Sequence, residues 1–249
     1  MNISSIQAQN TYTALSSGYK INSAADNAAG LAISEKLLSQ TNGYSVGSSN
    51  ATDGQSLINV ADGALSGIQD SLQRIHELAL QASNGLYSDS DKQAIQEEIN
   101  GLKETIQNTA KGTSFNTVKL LDGSMADIDL ATNPSGGGLE IQLANSTLES
   151  LGIADFDVTG NFNLEDITNA MDKVSSARSS LGAQYNSLQH TINYNDYASY
   201  NLTAANSRIK DTDYGEEMIK KNRENALEQY RIFTLKMQMG NDGNVLRLF

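Results

Sequence analysis

The chain has 249 residues with 29 acidic and 17 basic side chains, which gives a formal net charge of −12. This balance argues against a nucleic-acid backbone or an anionic membrane as the main partner. The lack of cysteine excludes a disulfide framework and a thiolate metal site, and a single proline suits long uninterrupted helices. No apolar run is long enough to span a bilayer, and the first residues show none of the segments of a secretory signal peptide.

Residues 1–41 are weakly amphipathic, with apolar residues spaced among Ser, Asn, Gln and Ala. Within them, residues 31–39 are predicted to form a helix. Gly43 and Gly47 follow among serines, and this composition predicts a linker. Asp53 precedes a strongly patterned stretch and is a candidate N-cap for the helix that begins there.

The strongest pattern in the chain is the apolar stripe of residues 58–82. Apolar side chains recur every three and four residues, and mostly polar side chains fill the positions between them. This spacing predicts a helix that buries one seam against partner helices. Asn84-Gly85 predicts a left-handed end to this helix, and residues 88–90 offer candidate N-caps for a second helix that runs to about residue 109.

In the middle of the chain the helical period gives way to strand signals. Residues 115–121 are rich in β-forming side chains and close on a turn signal. Leu139, Ile141 and Leu143 alternate with polar residues, as a half-exposed strand does. Residues 133–138, which contain proline and three glycines, are therefore predicted to form a loop.

A third helical pattern follows, with Asn161 or Asn163 as its candidate N-cap. It repeats at four and three residues with Arg178 as the one polar interruption, and it is predicted to continue towards Ile209. The three matching seams predict a mainly α fold: a long antiparallel helical bundle or coiled-coil rod built from both halves of the chain, with a small β-hairpin region in the middle and amphipathic terminal helices. The residues predicted to form the core of this rod are Ile58, Leu65, Ile68, Leu72, Ile75, Ile95, Ile99, Leu102, Ile106, Val174, Leu181, Leu188 and Ile192.

Both ends of the chain carry apolar residues at helical spacing, and the last residues form an apolar run. Exposed apolar surface of this kind is a liability in a monomer and favours a surface that another subunit covers. Neighbouring copies of the same chain are the simplest partners. The residues predicted to make these polymerisation contacts are Ile3, Ile6, Leu15, Leu31, Ile33, Ile219, Tyr230, Phe233, Met237, Val245, Leu246 and Leu248.

The sequence contains no constellation that predicts catalysis, a metal site or a bound cofactor. His76 and His190 are far apart in sequence, and the residue four positions after His76 is Leu80, so the second histidine of the zinc-protease motif is missing. The glycines of residues 136–138 lack the Lys and Ser/Thr of a phosphate loop. We therefore expect a protein that is not an enzyme and needs no cofactor.

Several blocks of the sequence resemble those of bacterial flagellins, and they occur in the same order along nearly the whole chain. Two of them read Leu-Ser-Ser-Gly-Tyr-Lys-Ile-Asn and Leu-Gln-Arg-Ile-His-Glu-Leu-Ala. The resemblance is to a minimal flagellin that lacks the outer variable domains, because only a short segment stands where those domains would lie. The matching blocks are residues 15–34, 53–54, 63–65, 72–81, 115–116, 119–123, 190–193, 204–214 and 244–246.

The resemblance implies a structural subunit that polymerises into the bacterial flagellar filament for motility. Residues 1–41 and 209–249 would pair as terminal helices in the inner tube of the filament. Residues 42–208 would form the helical rod domain, with a β-rich segment at about residues 112–160. The implied location is outside the cell, after export through the flagellar type III apparatus. The implied partners are other copies of the chain, an export chaperone, and cap and hook-associated proteins, without nucleic acid or membrane insertion.

The resemblance also implies recognition by the animal Toll-like receptor that senses flagellin. In this interpretation Arg74 offers a forked donor, Leu78 an apolar anchor beside it, and Glu98 an acceptor from the following helix. The residues that match the family's receptor-binding patch are Gln73, Arg74, Glu77, Leu78, Gln81 and Glu98.

Three other functions are considered. A hook–filament junction protein shares similar ends, although its Ser-Gly-x-x-Ile-Asn and Arg-x-x-Glu-Leu-Ala blocks tend to be weaker than those in this chain. A secreted immune-receptor ligand without a major filament role would not need the apolar ends. A secreted enzyme on the same scaffold would need an inserted domain, for which the short middle segment leaves no room.

Overall fold

The structure is a computed structural model that describes residues 3–246, with side chains described for residues 9–239. It divides into a central unit, Asn42–Ala198, and a terminal unit that combines Met1–Thr41 with Ser199–Phe249. The mainly helical fold with small antiparallel hairpins confirms the predicted fold class. The elements in chain order are α1 (Ile3–Ser17), α2 (Ala24–Ala82), α3 (Asp89–Gly112), β1 (Ser114–Phe115), β2 (Val118–Lys119), β3 (Asp127–Ala131), β4 (Gly138–Gln142), α4 (Leu148–Leu151), α5 (Leu164–Lys210) and α6 (Tyr214–Leu246).

Within the central unit, α2 and α5 pack side by side in opposite directions. The Ser48 hydroxyl donates to the Asp196 carboxylate at 2.7 Å, and the Arg178 guanidinium donates to the Asp62 carboxylate at 2.7 Å. The partner on α5 moves backward as the position on α2 moves forward, so the two helices are antiparallel. Arg178 thus interrupts the apolar seam of α5 in order to pair with a carboxylate on α2.

The seams of α2, α3 and α5 form the core of the central unit. Leu65, Ile68 and Leu72 on α2 are fully buried, as are Ile99 and Ile106 on α3. Burial of each such side chain stabilises the fold by about 1.5–3 kcal/mol. Of the residues expected in the rod core, Leu102 and Ile192 are half-buried and pack against the core. The buried ones are Ile58, Leu65, Ile68, Leu72, Ile75, Ile95, Ile99, Ile106, Val174, Leu181 and Leu188.

The linker expected around Gly43 and Gly47 is wrong, because α2 passes through both positions as a helix. The reason is a close approach to the turn between β3 and β4. An added Cβ at Gly47 would lie 2.3 Å from the Thr132 carbonyl oxygen, and one at Gly43 would lie 2.7 Å from the Pro134 side chain. The glycines therefore give the helix a surface on which another backbone can lie, and they do not mark a flexible joint.

The start of the long helix also differs from the expectation. Asp53 lies inside α2, so its assignment as an N-cap is wrong. Regular helical geometry is interrupted much earlier, at Asn27, which has φ −164° and ψ 96°. The Asn27 Oδ1 accepts a hydrogen bond from the Gly30 backbone N–H at 2.8 Å, which is the bond an N-cap side chain makes. The helical pattern that begins near residue 58 is therefore only the second part of a longer helix.

The turn between α2 and α3 is only partly as expected. α2 ends at Ala82, and Gly85 does not adopt a positive φ, so the left-handed end expected there is wrong. Ser88 is confirmed as the N-cap of α3: its side chain accepts from the Asp91 backbone N–H, and the Asp91 carboxylate accepts from the Ser88 backbone N–H at 2.9 Å. This reciprocal pair is a capping box, here with aspartate in the third helical position.

Two short hairpins and α4 occupy the middle of the chain. β1 and β2 are joined by Asn116 and Thr117, both at positive φ. β3 and β4 pair antiparallel with Ile128 opposite Ile141, and the residues between these strands form the expected loop. α5 then begins after Asn163, whose side-chain Oδ1 accepts from the Glu165 backbone N–H at 3.0 Å, and it continues to Lys210 as predicted.

In the terminal unit, α1 runs antiparallel to α6. The Thr11 hydroxyl donates to the Glu224 carboxylate at 3.4 Å, and the Tyr214 hydroxyl donates to the Leu15 carbonyl oxygen. The breaks before α2 and before α6 are also joined, because the Thr212 backbone N–H donates to the Gly18 carbonyl oxygen at 3.0 Å. Gly18 has a φ of 77°, which glycine adopts without strain.

Candidate assembly surface

One side of α6 contacts α1, and the opposite side is exposed. On one side the Lys221 ammonium lies 4.8 Å from the centre of the Tyr12 ring on α1, and Glu224 accepts the hydrogen bond from Thr11. The opposite side carries the apolar residues expected to take part in polymerisation. Their spacing of 11, 3 and 4 residues corresponds to near-integral numbers of turns at about 3.6 residues per turn. These residues are Ile219, Tyr230, Phe233 and Met237, and we call them the α6 stripe.

Every residue of the α6 stripe is more than half exposed. α1 does not cover the stripe, because α1 contacts the Lys221 and Glu224 side of the helix. Exposed apolar side chains that recur along one side of a helix indicate a site of protein association. Further exposed apolar residues of α6 that the sequence interpretation did not single out include Met218, Leu227, Ile232, Leu235 and Met239.

The other residues expected to take part in polymerisation are placed less uniformly. Ile33 is about half exposed, whereas Leu15 and Leu31 are half-buried. The remaining ones fall outside the residues whose side chains the structure describes, namely Ile3, Ile6, Val245, Leu246 and Leu248.

The charges of the chain are divided unevenly between its two units. Most of the 29 acidic residues lie within 42–198, whereas more than half of the 17 basic residues lie in the terminal unit. Two copies of the central unit therefore repel each other at low ionic strength, while the terminal unit has nearly balanced charge. Salt screens such repulsion over distances of about 10 Å at 0.1 M. Association through the terminal unit should consequently be favoured by added salt.

A second exposed cluster lies on α2 and α3 of the central unit. The Arg74 guanidinium donates from Nε (2.9 Å) and Nη2 (2.7 Å) to the same Glu98 oxygen, and from Nη1 to Glu77 at 3.3 Å. These bonds, chiefly the two to Glu98, raise the pKa of Arg74 above its ordinary value. One turn further on, the Gln81 side-chain amide donates to the Tyr87 hydroxyl at 2.7 Å. The structure therefore brings Arg74, Glu77 and Glu98 into one cluster, with Gln81 nearby.

Leu78 is not available as the apolar anchor that the sequence interpretation expected. Its side chain is only 3% exposed and belongs to the core of the central unit. It therefore offers no apolar anchor to a partner of the folded chain, although Gln73 and Glu77 on the same helix are exposed.

Among the described residues, no group of three or more His, Asp or Glu side chains is arranged to hold a metal ion. His76 is half-buried on α2, and His190 is exposed on α5. None of the helices in the described part of the chain combines the length and apolar character that a membrane crossing requires. The described residues thus form long antiparallel helices and one uncovered apolar stripe on α6, which are features of a helical structural subunit that associates through its surface.

Comparison with known proteins places this subunit in a family. The model of the bacterial flagellin N-terminal helical region matches residues 1–126, and that of the bacterial flagellin C-terminal helical region matches residues 164–249. A flagellin of Halalkalibacterium halodurans is 42% identical over 236 residues, which cover 92% of this chain and 87% of that protein. A flagellin of Bacillus subtilis is 37% identical over 281 residues, covering 97% and 92%. The chain therefore belongs to the bacterial flagellin family.

Solved structures agree with this assignment. The crystal structure of Bacillus cereus flagellin matches with a TM-score of 0.53 at 27% identity, covering 59% of this chain and 88% of that one. A putative flagellar hook-associated protein from Vibrio parahaemolyticus matches with a TM-score of 0.62 at 14% identity, covering 75% and 100%, and this likeness concerns the fold alone. The family matches favour a structural subunit of the extracellular flagellar filament over the junction-protein alternative.

Proposed function

We propose that the terminal unit makes the contacts of the inner filament tube and that the central unit forms the layer outside it. The observation that carries this proposal is the α6 stripe, which is exposed on the side of α6 that does not contact α1. In a helical polymer of this chain, neighbouring copies would cover the stripe. The near balance of charge in the terminal unit and the acidic excess of the central unit support the same division of roles.

The energetics of this arrangement require a repeated contact. Full burial of a large apolar side chain contributes about 1.5–3 kcal/mol, and the α6 stripe supplies four such side chains per subunit. Association itself costs an estimated 4–15 kcal/mol in lost freedom and ordering. A single contact between two copies would thus give weak association. A subunit that contacts several neighbours in a helical lattice would bind much more tightly.

The experiment is assembly of the full chain with two exposed apolar residues of the α6 stripe replaced. Tyr230→Ser together with Phe233→Ser should abolish salt-induced filaments, as followed by sedimentation and negative-stain electron microscopy. Leu86→Ser is the matched control, because Leu86 is 89% exposed but lies in the central unit. The control should form filaments like the unmodified chain. Deletion of residues 213–249 should also leave a folded central unit that no longer polymerises.

Filaments of normal length and yield from the double variant would contradict the assignment of α6. Circular dichroism of the monomeric variants tests whether assembly is lost because the variant unfolds. Both replacements lie on an exposed helix surface and should leave the helix content unchanged.

The proposal extends to the route of the subunit and to its other partners. Membership in the flagellin family supports export through the flagellar type III apparatus, with an export chaperone before export and the cap and hook-associated proteins at the ends of the filament. It also supports a structural rather than a catalytic role. Co-purification of the chain with an export chaperone of the same cell before export tests the first of these contacts.

A second candidate role is recognition by the animal Toll-like receptor that senses flagellin. It is supported by the exposed cluster of Arg74, Glu77 and Glu98, in which two carboxylates hold the guanidinium in a defined orientation. Gln73 and Gln81 extend this surface along α2. Leu78 is not part of this proposal as an anchor, since truncating a buried leucine costs about 2–5 kcal/mol of fold stability and would confound a binding experiment.

Arg74→Ala alone is therefore the informative change. It should weaken binding of the monomer to the receptor ectodomain by about 2 kcal/mol, the usual threshold of a hot spot, in surface plasmon resonance. Arg178→Ala is the matched control, because Arg178 also pairs with a carboxylate in the central unit but belongs to a different surface. Unchanged affinity of Arg74→Ala, or an equal loss in both variants, would show that the cluster does not recognise the receptor.

A further inference from the structure

Asparagine is followed by glycine at three positions in the chain, Asn42, Asn84 and Asn100. Such a pair is chemically reactive, because glycine has no side chain to keep its backbone nitrogen away from the asparagine side-chain amide. The structure places the three pairs in different surroundings. Asn42 lies in α2 and Asn100 in α3, whereas Asn84 lies in the exposed turn between these helices.

We propose that Asn84 is a site of spontaneous deamidation that reacts well before the other two. The Gly85 nitrogen loses its proton to a base in the solvent and attacks the Asn84 Cγ. The new N–Cγ bond forms as the Cγ–Nδ2 bond breaks, and the amide leaves as ammonia after taking up a proton. Water then opens the resulting five-membered imide at either carbonyl, which leaves aspartate or isoaspartate at this position.

The geometry of the turn favours this reaction. The Asn84 Oδ1 accepts a hydrogen bond from the Leu86 backbone N–H at 3.1 Å, so the side-chain amide already lies along the peptide that follows it. The same bond draws electron density from Cγ and makes it a better target. The Gly85 backbone N–H donates no hydrogen bond within the described part of the chain, and both residues are exposed to water. The nucleophile, the electrophile and the water are therefore all available in the native fold.

The two helical pairs lack these advantages. The backbone of Gly101 is fixed within α3, which holds its nitrogen in helical geometry. The backbone of Gly43 is fixed within α2, packed closely on Pro134. In either pair the glycine nitrogen can reach the asparagine Cγ only after the helix opens locally, which populates the reactive geometry rarely.

Deamidation at Asn84 would alter the turn that joins the two helices. The Asn84 backbone donates to the Gln81 carbonyl oxygen at 3.1 Å and accepts from the Tyr87 backbone N–H at 3.2 Å. Isoaspartate routes the main chain through the former side chain and so disrupts this spacing. Aspartate adds a negative charge just after the carboxyl end of α2, where the helix dipole disfavours it. The modification thus loosens one end of the central unit as the secreted protein ages.

The test uses the full chain and its own internal controls. Native protein is incubated in mildly alkaline buffer, and aspartate and isoaspartate at the three positions are quantified in peptides by mass spectrometry. The amount at Asn84 should rise several-fold faster than at Asn42 or Asn100, and hydroxylamine, which cleaves the imide, should cut the native chain after residue 84. In denaturant the three rates should converge. Equal native rates, or a faster reaction in either helix, would overturn the proposal.

Two glycine variants separate the chemistry from the fold. An added Cβ at Gly85 would meet no atom within 4 Å, and its φ is not positive, so Gly85→Ala should preserve the turn while suppressing the reaction at Asn84. Gly101→Ala, at an equally open position, should leave the rate at Asn84 unchanged. A Gly85→Ala protein that deamidates as fast as the unmodified chain would show that attack by this nitrogen is not the route.

Discussion

The same substitution at two glycines of α2 should change stability in opposite directions. Gly63→Ala places a methyl group in open space, because an added Cβ would meet no atom within 4 Å. Gly47→Ala places it 2.3 Å from the Thr132 carbonyl oxygen and 2.7 Å from the carbonyl carbon, neither of which belongs to a flexible side chain. Helix propensity favours alanine at both positions, so any difference in sign must come from the contact with the β3–β4 hairpin.

The magnitudes follow from the contacts at each site. At Gly63 the gain in helix propensity should raise the free energy of unfolding by about 0.5–1 kcal/mol. At Gly47 the methyl group must push the hairpin away, at a cost of about 1–3 kcal/mol for overpacking. That shift also breaks the 2.7 Å hydrogen bond from the Asn195 side chain to the Thr132 carbonyl oxygen.

The broken hydrogen bond adds to the loss of stability because neither partner can form a replacement hydrogen bond with water. Asn195 and Thr132 are 1% and 3% exposed, and leaving a buried polar group unpaired costs about 1–3 kcal/mol. After subtraction of the propensity gain, the net loss for Gly47→Ala should be about 1–5 kcal/mol.

The assay is urea unfolding of each full-chain variant followed by far-ultraviolet circular dichroism. Hydrogen exchange of the folded chain, measured in a proteolytic peptide that covers residues 127–142, provides the local readout. Exchange of this hairpin should become faster in Gly47→Ala but not in Gly63→Ala. If Gly47→Ala proved as stable as Gly63→Ala, the hairpin would not rest on this face of α2, and the account of the glycines would be refuted.

Two further predictions concern caps and clamps of α3. Ser88→Ala should lower the free energy of unfolding by about 0.5–2 kcal/mol. Because hydrogen bonds from Ser88 hold the pKa of Asp91 below its ordinary value, this loss should become smaller as the pH falls through that lowered pKa. Urea unfolding of both proteins at several pH values measures the loss, and a loss independent of pH would contradict the capping box. Burial lowers the pKa of Lys103, whose ammonium donates to the Ala154 carbonyl oxygen at 2.6 Å. Between this lowered pKa and about 10.4 the unfolded chain binds more protons, so the stability relative to Lys103→Met should rise with pH. A difference that does not change with pH would contradict the burial of this ammonium.

The core could be predicted from the sequence because periodic burial leaves a periodic pattern. The seam of α2 repeats every three and four residues through Leu65, Ile68 and Leu72, and the helix buries that seam. The continuation of α5 to Lys210 and the cap at Ser88 were also predictable, since both depend on local signals.

The glycines of α2 could not be read correctly because their reason lies far along the chain. The absence of a side chain at Gly43 and Gly47 leaves room for Pro134 and Thr132. No residue near these glycines in the sequence indicates that contact. Local composition alone favours a linker at these positions, whereas the packing of a distant hairpin determines the observed helix.

The position of Leu78 was missed for a related reason. The heptad stripe describes one seam, but α2 packs against both α3 and α5, and the two contacts together bury a wider arc of the helix than a single seam does. Leu78 falls within that arc. The approach of Arg74 to Glu98, by contrast, was open to inference from the pairing of the helices, because charged residues beside a seam face each other across it.

The most direct test of the central claim is hydrogen exchange along α6 in the monomer and in the assembled filament. Our account predicts rapid exchange over residues 214–239 in verified monomer, because α6 carries an uncovered apolar stripe and no residue of this range is buried. In the filament the same residues should become strongly protected, with little change in the core of the central unit. Equal exchange over residues 214–239 in both states would contradict the proposal that α6 forms contacts between subunits.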